Sequence, residues 1–354
     1  MNCETVSENA QHVRLKDYKA RSTVNDQEVR RSKLLENQKR RRGNALNNFR
    51  GVSDSVFAEL ESDHEREEEM QELYLPEEHV MEWTETKAKF PRLKDMFMLS
   101  EWMIKLPDNI EDKWLFVLCP VGKRCLVRST RGYTTVFGRK GQQLAKFQSS
   151  LPNGSQIDYN RMTYSNSEVT LLDCIWNSHV KSYFVLDVLS WKGQFYMDTE
   201  TSFRAFWIKS KLQEMPWLSA RSDQNPFPFN HLDHYQCNLD TLSLALQQYP
   251  HFTLDTPKID GILFYHSEAY YTPGHTPLVV WLKPFMIPEV FRIEVSDRYM
   301  VTRPATYVNM ITYIGECESK EKLKENKSKR KIKGRNLKTP EESVAEIEMM
   351  DETH

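Results

Sequence analysis

The chain has 354 residues, 28% of them charged and 39% apolar, with a formal net charge of −2. That length allows one large domain or two modest ones, and the charged fraction predicts that part of the chain does not pack into a core. No apolar run approaches the ~20 residues that span a bilayer and the first residues lack a signal-peptide core, which argues against a membrane-spanning helix and a secretory leader. Six scattered cysteines, with no CxxC pair and no His/Cys cluster, predict free thiols, a reducing compartment and no structural zinc.

Charge is strongly segregated along the chain. Residues 14–50 hold twelve Lys/Arg against four acids, and residues 53–80 hold eleven acids against the single Arg66. Such blocks rarely enter a core, because like charges repel and little apolar surface is available. The first block divides into an extended basic stretch, RLKDYKARS at 14–22, and a predicted helix over Asn25–Arg50, capped at Asn25 or Asp26. Arg30, Arg31, Lys33, Lys39, Arg40, Arg41 and Arg42 coat that helix, and Val29, Leu34 and Leu35 give it a thin apolar strip. A helix so charged is marginal alone and gains order on an acidic surface. A nucleic-acid tether and a merely solvated charged segment are the alternatives.

From about Phe97 to Ile314 apolar and aromatic residues dominate. WLFVLCP (114–120), KRCLVRS (123–129), YTTVF (133–137), VTLLDCIW (169–176), SYFVLDVLSW (182–191), GILFYH (261–266) and LVVWLKP (278–284) read as strands. Helical spacing recurs over Thr201–Leu212 and Leu239–Gln248, the latter with Asn238 as its N-cap. Hairpin-like strand succession with few helices predicts an α+β fold of mainly antiparallel sheets with flanking helices. The tail is low in complexity: ten Lys/Arg at 320–338, then an acidic end. The expected organisation is a basic arm (1–52), an acidic flexible linker (53–95), a folded domain (96–315) and a disordered charged tail (316–354).

The string CPVGKR (119–124) follows directly on a strand and overlays the K-x-D-G-x-R signature of covalent nucleotidyltransferases. Cys119 stands where the nucleophilic lysine belongs and Val121 where the aspartate belongs, while Gly122 and Arg124 persist. DGILF (260–264) resembles the D-G-L-I-F motif of capping enzymes and WLKP (281–284) their K-W-K-P motif, in the same order. FVLDVLSWKG (184–193) sits where a strand carrying a metal-linked acid lies in such enzymes. The phosphoramidate route needs an amine of lowered pKa at one fixed point. Lys123 is out of register for it, since successive strand residues point to opposite sides. The expected core is therefore nucleotidyltransferase-like without catalysis.

LSEWMIKLP, WLFVLCPVGKR, LLDCIWN, YFVLDVLSWKGQFYMD, NPFPF, DGILFYH and YTPGHTPLVVWLKP, together with the basic arm, resemble the snurportin family over roughly residues 10–290. The arm by itself resembles the importin-β-binding domain of import adaptors. The resemblance implies a nuclear import adaptor that shuttles between nucleus and cytoplasm. It would link importin-β to spliceosomal ribonucleoproteins by binding the 2,2,7-trimethylguanosine cap of their small nuclear RNA, with no cofactor and no membrane. It also implies ion pairs to importin-β from Arg14, Lys16, Lys19, Arg30, Arg31, Lys33, Lys39, Arg40, Arg41 and Arg42, for which the arginine fork suits clustered carboxylates. The acidic linker would shield the arm when importin-β is absent.

A base methylated at N7 is cationic, and two N2 methyls add apolar bulk while removing donors. Its pocket wants an electron-rich aromatic face, a small apolar wall and cations for the triphosphate. On the resemblance Trp281 is the stacking face, Trp102 the second indole, Cys119 and Ser100 the lining of the base pocket, and Arg124 the contact to base or ribose. A family lysine for the phosphates falls at Arg139, with Lys140 beside it. Trp114, Trp176, Trp191, Trp207 and Trp217 read as packing residues. The family also binds an export receptor through hydrophobic residues at its N-terminus, whereas residues 1–13 here offer Met1, Val6 and Val13 and no leucine. An active guanylyltransferase and a general RNA-binding protein are the rival functions.

Overall fold

The computed structural model describes residues 24–50, 93–155, 169–249, 251–252 and 258–319. The basic helix forms, as α1 (Val24–Arg50), and it begins before the expected caps Asn25 and Asp26, which lie within its first turn. The strands β1 (Met98–Trp102), β2 (Trp114–Pro120), β3 (Lys123–Thr130), β4 (Tyr133–Phe137), β5 (Gln143–Phe147), β6 (Thr170–Asn177) and β7 (Ser182–Trp191) follow, with the short helix α2 (Ile110–Lys113) between β1 and β2. There follow β8 (Gln194–Phe195), α3 (Thr201–Glu214), β9 (Phe229–His231), β10 (Tyr235–Gln236), α4 (Leu239–Gln247), β11 (Ile259–His266) and β12 (Gly274–Leu282). Two short helices, α5 (Ile287–Phe291) and α6 (Asp297–Met300), close this part of the chain. The fold is α+β and its sheets are mainly antiparallel, as the pattern predicts.

The chain forms two compact units, Met1–Val301 and Thr302–His354. In the second, the described residues end in a helix over 310–319. The first holds two sheets. One has the order β1-β12-β11-β2-β10; the other has the order β5-β4-β3-β6-β7-β8, with β9 added beside β7. Two pairings are parallel, β1 with β12 and β7 with β9. Val117, Cys119, Leu263, Tyr265 and Val279 of the first sheet pack against Leu126, Phe137, Ile175, Phe184 and Leu186 of the second. The opposite face of the second sheet packs Val127, Leu172, Cys174, Val185 and Val188 under Ile208 and Leu212 of α3. β7 is therefore buried along its whole length, which explains its near-continuous apolar sequence.

α4 starts as its sequence predicts, with the Asn238 side chain accepting from Thr241 N at 2.7 Å. α3 lacks such a cap and is tied down otherwise. Arg204, completely buried, donates from Nε and Nη2 to the Asp187 carboxylate at 2.8 and 3.0 Å, and also to the Thr199 and Ala269 carbonyls. Removing one partner of a buried pair leaves an uncompensated charge and costs about 3–5 kcal/mol, whereas exchanging both for apolar residues is often neutral. Arg204→Met should therefore lower the unfolding free energy in urea by about that amount, and Asp187→Leu with Arg204→Met should recover most of it. Equal destabilisation by the single and double variants would refute this account.

Candidate functional site

The strands place the aromatic candidates together. β1 and β12 run side by side with Ser100 opposite Thr276 and Trp102 opposite Trp281, and the register slips between Ser100 and Glu101. Across β12, Trp281 faces Leu263 of β11, and two residues back along β11 Gly261 faces Cys119 of β2. Ser100, Trp102 and Trp281 are partly exposed, while Cys119 is 2% exposed. Gly261 is what lets these residues share one surface. A Cβ there would lie 2.0 Å from Cζ2 and 2.4 Å from Cη2 of Trp281, so the indole occupies the space of a side chain at 261. Neither Gly261 nor its neighbour Asp260 figures among the sequence candidates, although both stand in the DGILF string.

Cys119 is held in the thiol form. Burial pushes its thiol up to about 12, so at neutral pH it carries its proton, and only a thiolate attacks phosphorus. Val121, in the place of the motif aspartate, is an exposed turn residue whose N–H donates to the Lys258 carbonyl. Lys123 is exposed. The two motif residues that persist have structural partners. A Cβ on Gly122 would stand 2.5 Å from the Trp176 carbonyl oxygen, so only glycine lets the β2–β3 turn approach β6.

Arg124 is clamped. Its Nε and Nη2 donate to Asp173 of β6 at 2.9 and 2.6 Å, and its guanidinium stands 5.5 Å from the Phe97 ring centroid. Burial alone would lower its pKa, but the Asp173 charge and hydrogen bonds raise it well above the usual range. The side chain is 25% exposed, so Nη1 is the edge left to face a ligand. The family-like acid on β7 is closed as well, since Asp187 is held by Arg204. Among the described residues no group of three or more His, Cys, Asp or Glu is placed to hold a metal ion.

Arg139 and Lys140 both lie exposed on the β4–β5 turn. The Arg139 carbonyl accepts from Asp95 N at 3.0 Å, which brings this basic turn to the lead-in of β1. Lys283, at the end of β12, is a cation absent from the sequence candidates. It pairs with Asp260 at 2.6 Å, and its Nζ is 5.5 Å from the Trp281 ring centroid. Its signal was the lysine of the WLKP string, which stands at the second lysine of the K-W-K-P motif. The remaining tryptophans divide. Trp114 and Trp191 are buried and Trp176 and Trp207 pack against the core, but Trp217 is 54% exposed and is not the packing residue that its apolar context predicts.

The arm helix is docked on this same wall. Arg30 forms a bidentate pair with Glu101, and Gln27 donates to Glu101 and to the Trp102 carbonyl at 3.1 Å each. Arg31 is 3% exposed: Nε donates to the Pro277 carbonyl at 2.9 Å and the guanidinium lies 5.1 Å from the Trp114 ring centroid. Burial pulls its pKa down, opposed by Glu28. Farther along, Lys39 pairs with Glu268 and Arg42 with Glu200. The buried face is thus polar, and Val29 of the expected apolar strip is 50% exposed. Lys33, Arg40 and Arg41 face outward. Arg14, Lys16, Lys19, Met1, Val6 and Val13, the acidic linker and the basic tail from 320 lie outside the described residues.

A family model described as Snurportin1, m3G cap-binding domain, matches residues 96–284, and a second, described as Snurportin1, matches residues 12–51. Among solved structures, the ligase domain of LigD from M. tuberculosis is 13% identical with a TM-score of 0.34, covering 55% of this chain and 60% of that one. A structure titled Pmar-Lig_PreS3 is 11% identical with a TM-score of 0.36, covering 53% of this chain and 46% of that one. The chain thus spans about three fifths or less of these relatives, and the likeness is distant.

The Gly261 seat gives a direct test. Gly261→Ala should displace the Trp281 indole, changing the tryptophan emission spectrum, while a substitution elsewhere on β11 that keeps the seat should not. An unchanged emission spectrum in Gly261→Ala would show that the ring does not rest there.

Proposed function

The chain belongs to the Snurportin1 family, and on that premise we propose that it is a nuclear import adaptor with two ends. Its domain holds the 2,2,7-trimethylguanosine cap of spliceosomal small nuclear RNA, and its arm folds on importin-β, so that the protein shuttles between cytoplasm and nucleus. The observation that carries the first half is the wall of Trp102, Trp281 and Cys119, seated on Gly261 and lacking an ionisable nucleophile.

The chemistry of that wall suits the cap. The Trp281 face takes the cationic base by stacking and cation–π attraction. Cys119, a protonated thiol, is a small apolar neighbour that asks no donor of the methylated N2. Ser100 contributes a small polar group, and Nη1 of Arg124 is available to base or ribose. Arg139 and Lys140 stand ready for the triphosphate. Stacking on one indole contributes about 1–3 kcal/mol per base, so recognition at micromolar affinity or better needs no covalent step.

Competition between trimethylated and monomethylated cap dinucleotides at fixed salt is the primary test. The full chain should prefer the trimethylated cap, and Trp281→Ala should weaken it by roughly 10–100-fold with the unfolding transition unchanged. Equal affinity for both caps, falling steeply with salt, would favour a general RNA-binding protein held by phosphate contacts. A covalent adduct with radiolabelled GTP would favour an enzyme.

The arm enters through its exposed cations. Lys33, Arg40 and Arg41 already face solvent, but Arg30 and Arg31 are engaged with the domain and must leave it to reach a partner. Glu101→Lys removes the acceptor of the Arg30 pair, and a charged hydrogen bond contributes about 1.5–3 kcal/mol. Importin-β affinity of this variant should rise about 10-fold, with cleavage of the arm by trypsin accelerated. An unchanged affinity with faster cleavage would show that arm docking does not compete with importin-β.

A further inference from the structure

The pocket is built from two sheets, and strand pairing does not join its two walls. β1, which carries Ser100 and Trp102, is an edge strand that, among the described residues, pairs only with β12. Arg124 belongs to β3 of the other sheet. An edge strand with one neighbour is the loosest kind of sheet element, yet a stacking pocket needs its rings fixed to within a fraction of an ångström.

A hydrogen-bonded chain crosses the gap. Met98 N, at the start of β1, donates to the Tyr271 hydroxyl at 3.2 Å. A backbone N–H can only donate, so the hydroxyl accepts there and its single proton goes to Asp173 Oδ2 at 2.7 Å. The same carboxylate accepts both Arg124 contacts. Asp173 is completely buried and Tyr271 is 3% exposed, so water does not substitute for either partner. Tyr271 is itself held by its backbone N–H to the Met197 carbonyl at 2.8 Å, and Gly274 N donates to the Phe97 carbonyl at 2.9 Å.

We propose that Asp173 and Tyr271 are positioning residues for cap recognition: through one carboxylate they register the Arg124 wall against the β1 wall carrying Ser100 and Trp102. This rests on the cap-pocket reading above. Neither residue has to touch the ligand. Asp173 leaves Arg124 with Nη1 as its forward edge, and the Tyr271 hydroxyl fixes where β1 begins. Losing that hydroxyl alone leaves the Arg124–Asp173 pair intact and loosens the start of β1, which stays paired with β12.

The test uses the full chain and the m3GpppG dinucleotide. Tyr271→Phe keeps the ring and removes one hydrogen-bonded oxygen, a change of about 1 kcal/mol, so cap affinity should fall roughly 5–10-fold while the melting temperature shifts by only a few degrees. Backbone hydrogen exchange over 98–102, measured without cap, should accelerate by a similar factor while that over 114–120 does not. In double-mutant cycles the loss should be less than additive with Trp102→Ala, because both act on β1. Asp173→Asn should weaken the cap further, since it also releases Arg124. Unchanged exchange at 98–102 in Tyr271→Phe would overturn the proposal whether or not the wild type binds cap. Failure of the wild type to bind m3GpppG, with the exchange change intact, would instead overturn the cap-pocket reading. Wild-type affinity in Tyr271→Phe, or strict additivity with Trp102→Ala, would show that the bridge is packing only.

Discussion

Two carboxylates stand directly opposite each other inside this protein. Asp173 on β6 and Asp187 on β7 are register partners, 0% and 4% exposed, and like charges so placed on neighbouring strands repel. Much of the surrounding architecture follows from neutralising them. Arg204 reaches Asp187 from the first turn of α3 and fastens that helix at the loop before β12, through the Ala269 carbonyl. Arg124 reaches Asp173 from β3 and is thereby fixed in place. The register slips on both sides of Asp173, the kind of irregularity that re-aims a side chain. Net stabilisation by such buried pairs is small, because desolvation offsets most of the Coulomb gain. What they impose is geometry, since each arginine has to reach its buried carboxylate from its own element.

That geometry gives the enzyme-like signature a different meaning. Gly122 persists because the β2–β3 turn runs against Trp176, and Arg124 persists as the counter-charge of a buried aspartate. Gly261 persists because the Trp281 indole occupies the space of its side chain. None of these roles needs a nucleophile. The position where an amine would attack is filled by a thiol whose burial keeps it protonated, which adds an apolar patch beside a stacking ring.

The sequence made most of the central strands legible and few of the peripheral ones. β2, β4 and β7 carry long β-branched and aromatic runs and end where the apolar residues end. β1 is MLSEW, too short and too mixed to show a period, and its pairing with β12 is parallel and distant in sequence. β8 and β10 have two residues each and exist only because a neighbour offers a hydrogen-bonding edge. Within the pocket, Trp102, Trp281 and Cys119 were legible because each sits inside a recognisable string. Tyr271, Asp173 and Gly261 sit in such strings too, yet nothing local singles them out, because their importance lies in what they touch across the two sheets.

The arm shows the same limit in its energetics. Its sequence advertises a thin apolar strip, yet the face it buries is polar, and Val29 stays in solvent. The outer pairs, Lys39 with Glu268 and Arg42 with Glu200, are largely exposed and contribute about 0–1 kcal/mol each. The hold therefore rests on Gln27, Arg30 and Arg31, of which Arg31 is lodged between Gln27, the Pro277 carbonyl and the Trp114 ring. Burying a guanidinium offsets part of what its hydrogen bonds supply, so the docked state is shallow. A helix this charged is marginal alone, and a shallow seat orders it without trapping it. The seat is formed by β1 and β12, the same two strands that carry Trp102 and Trp281, so the arm and these two indoles depend on one strand pair.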